Sequence, residues 1–333
     1  MTAIRLIGDI HFGKRFPHTT IKTSDRFDQM RNNSVAKSLS QHTCVQLGDL
    51  FDTYTVNDDL FVSGYKTTWN CLWTLAGNHD LSKNTDKPSA LLLLKDNFND
   101  SIASEITRFS EGMTEFFLVP HQHTQGEFIK ALESLVGLKT HRFNVLCLHC
   151  NFGDHTGPET DNYLPPAVAR TLLGSGFTLI VSGHEHNHRK PMDAVVMLGS
   201  ILPMSFGEME TKFVMDYDTQ GGTYELVPVW HSDKYAKADA KGFIEHDFPS
   251  DTQFVEIVGD VDVDMMAQVN RRAQGMFKNM ESIIAIKNNT VLHRHNKAVQ
   301  DTKKEHWLDA LLKQCVNDRQ RELLRGWANA HNQ

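Results

Sequence analysis

Short apolar runs alternate with amphipathic stretches over the first 230 residues of the chain. The runs are rich in β-branched and aliphatic residues, which favours buried strands. The predicted strands are Ala3–Ile7, Thr43–Leu47, Cys71–Leu75, Phe143–Leu148, Thr178–Val181, Ala194–Leu198, Lys212–Asp216 and Thr223–Val229. The predicted helices are Asp25–Leu39, Ser89–Phe98, Gly126–Leu135 and Pro166–Leu173. This alternation predicts a layered α/β domain over residues 1–230.

The pattern changes after position 230. Residues 231–249 are polar and irregular, which favours a linker. The next apolar segments predict a strand, a helix and a strand at Phe254–Val258, Met265–Phe277 and Ile283–Ile286. We therefore expect a linker and a small α+β capping domain over residues 231–295. Leucines and tryptophans form a stripe in Thr302–Asn329, which predicts amphipathic helices in a C-terminal segment, residues 296–333.

Polar side chains follow five of the predicted strands at the point where each strand ends. The five clusters are Gly8-Asp9-Ile10-His11, Gly48-Asp49-Leu50-Phe51-Asp52, Gly77-Asn78-His79-Asp80, His149 and Gly183-His184-Glu185-His186. In α/β sheets, ligands bind beyond the carboxyl ends of the strands, so distant clusters can converge in one crevice. Extended residues two apart face the same way, so Asp9 and His11 can reach one metal region, as can His184 and His186.

The chemistry of these side chains indicates a metal site. Carboxylate, amide and imidazole donors without a thiolate suit manganese, iron or catalytic zinc. Seven ligands are too many for one catalytic ion that keeps an open position. Two ions about 3.5–4 Å apart, bridged by one carboxylate, fit that number, and such pairs catalyse in-line displacement at phosphorus.

The charge distribution agrees with bound cations. The formal net charge is −7, but residues 261–333 carry 12 Lys and Arg against 8 Asp and Glu, a net of +4. Residues 1–260 carry the remaining 22 against 33, a net of −11. An acidic region that handles phosphates needs cations of its own, which divalent metals would supply.

The ordered set D-x-H, G-D-x-x-D, G-N-H-D, H and G-H-x-H resembles that of the calcineurin-like metallophosphoesterases, and the resemblance covers roughly residues 3–230. It implies a sandwich of two mixed β-sheets flanked by helices. It also implies two metal sites that share Asp49 as a bridge. The ligands of the first would be Asp9, His11 and His186, and those of the second Asn78, His149 and His184.

The same resemblance implies roles for three neighbouring residues. His79 would contact the scissile phosphate and protonate or stabilise the leaving oxygen, as a general acid does. Asp52 and Asp80 would orient histidines or backbone groups around the metals. Four other features lie outside these assignments. We expect His121, His123 and His188 to be solvated loop residues. The sequence does not decide whether the segment Phe206-Gly207-Glu208 is only a turn or has a functional role.

Two positions distinguish this chain from two branches of the family. Thr53 follows Asp52, whereas phosphoprotein phosphatases have an arginine there, and Asp52 stands where purple acid phosphatases have a tyrosine ligand. The small domain and C-terminal helices resemble the nuclease subunit of SbcCD-type DNA repair complexes, including bacteriophage versions. Gly199-Ser200 matches a motif of that branch, although Ile201 follows where proline is usual.

The resemblance therefore implies a double-strand DNA exonuclease and endonuclease that uses two divalent ions, Mn²⁺ in preference to Mg²⁺. The expected partners are DNA, an SMC-like coiled-coil ABC ATPase of the SbcC type and a second copy of the chain, without a membrane. The expected location is the cytoplasm of a bacterial cell or an infected host cell. The alternative is a small-molecule phosphodiesterase or phosphatase of the same superfamily.

Overall fold

A computed structural model describes residues 3–19, 21–82, 87, 89–138 and 140–292. The predicted C-terminal segment, residues 296–333, lies outside the described residues. The helices are α1 (Ile21–Leu39), α2 (Asp58–Trp69), α3 (Ala90–Asn97), α4 (Gln125–Glu133), α5 (Pro166–Ser175), α6 (Ala240–Glu245) and α7 (Val263–Asn279). The strands are β1 (Ala3–Ile7), β2 (Thr43–Gln46), β3 (Cys71–Leu75), β4 (Ile102–Ala103), β5 (Thr107–Glu111), β6 (Thr114–Val119), β7 (Phe143–His149), β8 (Asn151–Phe152), β9 (Tyr163–Leu164), β10 (Leu179–Gly183), β11 (Arg189–Met192), β12 (Val195–Met197), β13 (Lys212–Asp218), β14 (Tyr224–Trp230), β15 (Tyr235–Asp239), β16 (Phe254–Val261) and β17 (Ala285–Leu292).

Two mixed six-stranded sheets form the main body. The first has the order β14-β13-β1-β2-β3-β4, in which β1 to β4 are parallel and β13 is antiparallel to β1. The second has the order β11-β12-β10-β7-β6-β5, with a parallel centre and antiparallel edges. Because parallel neighbours end at one edge of a sheet, the carboxyl ends of β1, β2 and β3 lie together, as do those of β7 and β10.

The two sheets pack face to face around one apolar core. Leu6 and Val45 of the first sheet share a buried cluster with Phe116, Val145 and Val181 of the second. The outer face of the first sheet is covered by α1, α2 and α3, and that of the second by α4 and α5. This arrangement confirms the predicted α/β sandwich of two mixed sheets flanked by helices.

A third sheet follows the main body. Its strands β15, β16 and β17 are parallel and are joined by α6 and α7, which bury a separate apolar cluster against it. The prediction of a linker over residues 231–249 is wrong in part, because β15 and α6 form there. We call residues 235–292 the small unit. The boundaries drawn at 230 and 295 stay predictions.

The small unit is attached to α1 and β14 of the main body. Arg26 of α1 donates to the carbonyl oxygens of Met280 and Ile283, each at 3.2 Å. The indole nitrogen of Trp230 donates to Gln253 Oε1 at 2.8 Å. Among the described residues, no helix combines the length and apolar character needed to cross a bilayer.

Candidate metal centre

Three tight turns bring the strand-end side chains together. His11, Asp49 and His184 have φ values of 51°, 52° and 79°, a region that residues other than glycine seldom occupy. The turns are held by hydrogen bonds between strand ends. The backbone nitrogens of Ile10 and His11 donate to the Asp49 carbonyl at 3.1 and 3.0 Å, and His184 N donates to the Asp9 carboxylate at 3.0 Å. Strained backbone of this kind is typical of functional sites.

Glycines precede the polar residues because the site has no room for a side chain there. A Cβ atom at Gly77 would lie 2.2 Å from Asp49 Oδ1, and one at Gly183 would lie 2.5 Å from the Leu47 carbonyl oxygen. Both distances are far inside van der Waals contact. These glycines therefore permit the carboxylates to approach the neighbouring strand ends.

The first predicted ligand group converges. Asp9, His11 and His186 each present a ligand atom within 4.8 Å of the others. His11 Nε2 lies 3.0 Å from His186 Nε2, and His186 Nε2 lies 4.0 Å from Asp9 Oδ2. Two imidazole nitrogens and a carboxylate oxygen that face one point fit a divalent cation.

The second predicted group converges beside the first. Asn78 Oδ1 lies 3.0 Å from both His149 Nε2 and His184 Nδ1. Asp49, His149 and His184 also present ligand atoms within 4.8 Å of one another. The oxygen and nitrogen donors of this group suit the same class of metal as the first.

Asp49 lies between the two groups. Its Oδ1 is 3.3 Å from His149 Nε2, and its Oδ2 is 3.5 Å from His11 Nε2. One carboxylate oxygen therefore faces each group, which is the placement that a bridging ligand requires. The bridging role itself stays a prediction.

The electrostatics of the cluster fit the binding of cations. Burial alone would raise the pKa of Asp49, but His149 and then His11 hold it well below its usual range. Burial alone would lower the pKa of His149, but the carboxylates of Asp49 and Asp9 raise it to about 9. The Asp49 carboxylate thus stays negative and attracts positive charge, whether from a proton on His149 or from a metal ion.

Three of the histidines have an oxygen atom close to Nδ1. His149 Nδ1 lies 2.8 Å from the Leu47 carbonyl oxygen, His11 Nδ1 lies 3.2 Å from Asp52 Oδ1, and His186 Nδ1 lies 3.1 Å from Glu208 Oε2. In each case Nε2 is left to face the site. Outer partners of this kind fix the ring orientation of metal-binding histidines.

The sequence does not predict that Glu208 lies beside His186. Its carboxylate also accepts hydrogen bonds from Met204 N at 3.0 Å and Ser205 Oγ at 2.9 Å. Burial alone would raise the pKa of Glu208, but the hydrogen bond from His186 and its charge lower it to about 2. The open question about the segment 206–208 is therefore answered: the turn aims a carboxylate at a predicted ligand.

Asp80 orients backbone groups, and no histidine among the described residues is hydrogen-bonded to it. Its carboxylate accepts hydrogen bonds from the backbone nitrogens of Leu50, Phe51 and Gly77 at 3.2, 2.9 and 3.0 Å. Burial, followed by the nearby charge of Asp49, raises the pKa of Asp80 to about 7. The side chain ties the turn after β2 to the turn after β3.

His79 lies at the open side of the cluster. Its backbone nitrogen donates to Asp49 Oδ1 at 2.9 Å, and its Nδ1 lies 2.6 Å from the Asp52 carbonyl oxygen. The side chain is 38% exposed, unlike the buried histidines His11 and His149. Since His11, Asp49 and His79 also present ligand atoms within 4.8 Å, the position permits either phosphate contact or metal ligation.

The expectation of solvated loop histidines is wrong for one residue and partly wrong for a second. His121 is only 8% exposed, because its backbone nitrogen donates to the Ala76 carbonyl and draws the loop onto β3. His188 is half-buried, with its ring 5.2 Å from that of Phe213. His123 is exposed, as expected.

Comparisons with known proteins agree with this geometry. The model of the calcineurin-like phosphoesterase family matches residues 2–188. The protein named "Putative phosphoesterase 078R" of Invertebrate iridescent virus 3 is 26% identical over 176 residues, which cover 48% of each chain. The chain thus spans about half the length of this viral relative.

Two solved structures are similar to this chain. Calcineurin-like phosphoesterase YfkN from Bacillus subtilis has a TM-score of 0.34 and 12% identity, with 68% of this chain and 88% of that chain covered. GAP50, the anchor in the inner membrane complex of Plasmodium, has a TM-score of 0.41 and 16% identity, with 68% and 84% covered.

We expect Asp49→Ala to weaken the binding of both metals and to abolish hydrolysis, since each carboxylate oxygen faces a different ligand group. The measurement is metal content and affinity of the purified variant. Asp154→Ala, an exposed residue of the same type, serves as the control. Two ions bound at wild-type affinity by Asp49→Ala would show that Asp49 is not the bridge.

Glu208→Ala is expected to lower the affinity of the first metal site by roughly 10–100-fold, because His186 loses the partner that orients it. Metal titration followed by calorimetry measures this change. The exposed Glu210→Ala removes an equal charge two residues away and should retain wild-type affinity. Equal affinities for the two variants would contradict the orienting role.

Proposed function

Since the chain belongs to the calcineurin-like phosphoesterase family, we propose that it hydrolyses DNA phosphodiesters as the nuclease subunit of an SbcCD-type complex. The proposed activity is that of a double-strand exonuclease and endonuclease with two divalent ions, Mn²⁺ in preference to Mg²⁺. One observation carries the proposal: the small unit packs on the loops that hold the predicted metal ligands.

The contact is formed by aromatic rings. Phe254 of β16 has its ring centroid 4.6 Å from that of Phe16 and 6.3 Å from that of Phe206. Phe16 follows His11 in the loop after β1, and Phe206 lies two residues before Glu208. A polymeric substrate that reaches the metals would thus meet the small unit as well, whereas a small ester needs no such extension.

Basic side chains lie along the same side of the site. Lys14 Nζ is 3.2 Å from Asp52 Oδ1, and Arg15 beside it is exposed. Lys287 of β17 lies over the ring of Phe206, with Nζ 5.6 Å from the ring centroid. Lysine and arginine in such positions bind the phosphates of DNA without reading its sequence. We propose that the flanking DNA backbone follows these three residues.

The residues around the predicted metal sites have different proposed roles in the reaction. When bound, the two ions would polarise the phosphate and activate a water molecule for in-line attack. The Asp52 carbonyl accepts a hydrogen bond from His79 Nδ1, so in the doubly protonated imidazolium form Nε2–H would be free to give its proton to the leaving oxygen, which leaves His79 neutral. Asp49 accepts a hydrogen bond from the His79 backbone, Glu208 is hydrogen-bonded to the His186 ring, and Asp52 lies beside the His11 ring.

Hydrolysis of small phosphodiesters or monoesters is the second candidate. It is favoured by a cleft of about 300 Å³ that opens beside Asn78, a size that suits a small molecule. Hydrolysis of monoesters is less favoured, because Thr53 stands at the position where phosphoprotein phosphatases have an arginine.

We also propose an SMC-like coiled-coil ABC ATPase as a partner. The support is the resemblance of the amphipathic segment Thr302–Asn329, which lies outside the described residues. Removal of the chain from Thr302 onward should abolish co-purification with the ATPase. Unchanged affinity of the truncated chain for the ATPase would overturn this assignment.

A homodimer is proposed on the basis of an exposed apolar patch on α2 and α3. Val62, Trp69, Leu93 and Phe98 are 48%, 65%, 43% and 54% exposed. The ring of Tyr65 lies 5.8 Å from that of Trp69 and 5.7 Å from that of Phe98, so it joins two of these side chains. Exposed apolar patches commonly mark an interface. Sedimentation velocity should give a dimer for the full chain and a monomer for Trp69→Glu, and a monomeric wild-type chain would refute the proposal.

His79→Ala should lower kcat by roughly 10²–10⁴, the scale for the loss of a general acid. Metal content should persist, because the proposal assigns His79 to the phosphate. Measurements of kcat and of metal content on the same preparation test both statements. His231→Ala, at an exposed position, is the control. Loss of metal together with activity would make His79 a ligand instead.

The nuclease proposal is tested by release of nucleotides from linear duplex DNA with Mn²⁺. Bis(p-nitrophenyl) phosphate and a phosphopeptide are assayed in parallel, and Asp49→Ala serves as the control for contaminating nucleases. We expect metal-dependent hydrolysis of the DNA and of the chromogenic diester. Hydrolysis of the phosphopeptide alone would overturn the proposal.

A further inference from the structure

A polar cleft of about 300 Å³ opens directly beside the predicted metal ligand Asn78. Its walls come from three separate turns. Leu81 and Ser82 follow β3, His121 and His123 follow β6, and Thr160 and Asp161 precede β9. None of these six residues belongs to the predicted metal or acid–base groups.

The walls of the cleft are fixed to one another and to the metal centre. Asn162, which is only 1% exposed, accepts a hydrogen bond from Gln122 N at 2.7 Å and donates to the Gln122 carbonyl at 3.1 Å. His121 N donates to the Ala76 carbonyl, two residues before Asn78, at 3.0 Å. The cleft is thus preformed, and its distance from the metal ligands is set by backbone bonds.

The charge of the cleft differs from that of the basic residues proposed to follow the DNA backbone. Lys14, Arg15 and Lys287 are absent from its lining, and the described residues of the cleft include no lysine or arginine. Asp161 contributes a negative charge. Burial, followed by the nearby His149, lowers the pKa of His121 to about 3, so its neutral imidazole can donate through one ring nitrogen and accept through the other. The described lining thus offers a phosphate group no basic side chain and suits an uncharged polar group.

A nucleoside is the part of a nucleic acid that fits these properties. It is uncharged, it carries both donors and acceptors, and an aspartate carboxylate can accept a hydrogen bond from the amino group of cytosine. The volume of the cleft lies at the lower end of the range for ligand pockets. The cleft is therefore too small to hold a stacked duplex.

We propose that this cleft binds the single nucleoside that adjoins the scissile phosphate, with Asp161 and His121 as hydrogen-bonding partners. The proposal rests on the proposed function and deepens it, because a nucleoside in this cleft must leave the base stack before cleavage. Frayed ends and single-stranded segments would therefore be cleaved in preference to continuous duplex.

The test compares two probes by calorimetry on the full chain loaded with Mn²⁺: deoxycytidine monophosphate, as its 5′ and 3′ isomers, and inorganic phosphate. We expect one isomer to bind at least ~10-fold more tightly than phosphate, on the scale of a hydrogen bond to a charged group. Asp161→Ala, alone and combined with His121→Ala, should reduce this ratio towards one. Glu159→Ala removes the same charge from the same loop outside the cleft and should preserve it.

The ratio of affinities is the readout, because a change of charge alone alters the binding of both probes. Equal affinity of the wild-type chain for nucleotide and phosphate, or a ratio unchanged in the double variant, would overturn the proposal. A ratio that falls in the double variant supports the cleft assignment even if duplex DNA is not hydrolysed, in which case the nuclease proposal fails separately.

Discussion

Two buried carboxylates, Asp9 and Asp49, impose the constraint on which the rest of the site depends. Both are at most 1% exposed, and a buried charge is costly unless it is paired and hydrogen-bonded. Asp9 accepts from His184 N, and Asp49 accepts from His79 N and faces His11 and His149. Each partner comes from a different strand end. The sandwich therefore has to bring strand ends of both sheets to one point, and the left-handed turns and glycines follow from that requirement.

This requirement explains why the strand-end clusters could be predicted from the sequence. Buried parallel strands appear as continuous apolar runs, so β1, β3, β7 and β10 were predicted within two residues of their observed bounds. The polar residues that end them then stand out against the apolar background. The convergence of these residues is confirmed by the distances, whereas their roles as ligands, bridge and acid stay predictions.

Other parts of the fold left no comparable pattern. β5 alternates between half-buried and exposed residues at a sheet edge, and β15 forms within a polar stretch because its partner β16 supplies the pairing from beyond α6. Glu208 lies 22 positions from His186, and neither periodicity nor spacing relates the two. The burial of His121 depends on one backbone bond to Ala76. Each of these features is set by a contact distant in sequence, which a local pattern does not record.

The loop at residues 204–208 links the small unit to the metal centre. Phe206 packs against both Phe16 and Phe254, while Glu208, two residues further on, holds His186 through its carboxylate. Lys212 strengthens the same region, because its buried ammonium group donates to the His186 carbonyl at 2.8 Å. A shift of β16 would move Phe206 and thus strain the bond between Glu208 and His186. The small unit and the predicted metal ligand His186 are therefore connected through five residues of chain, so that the position of one bears on the orientation of the other.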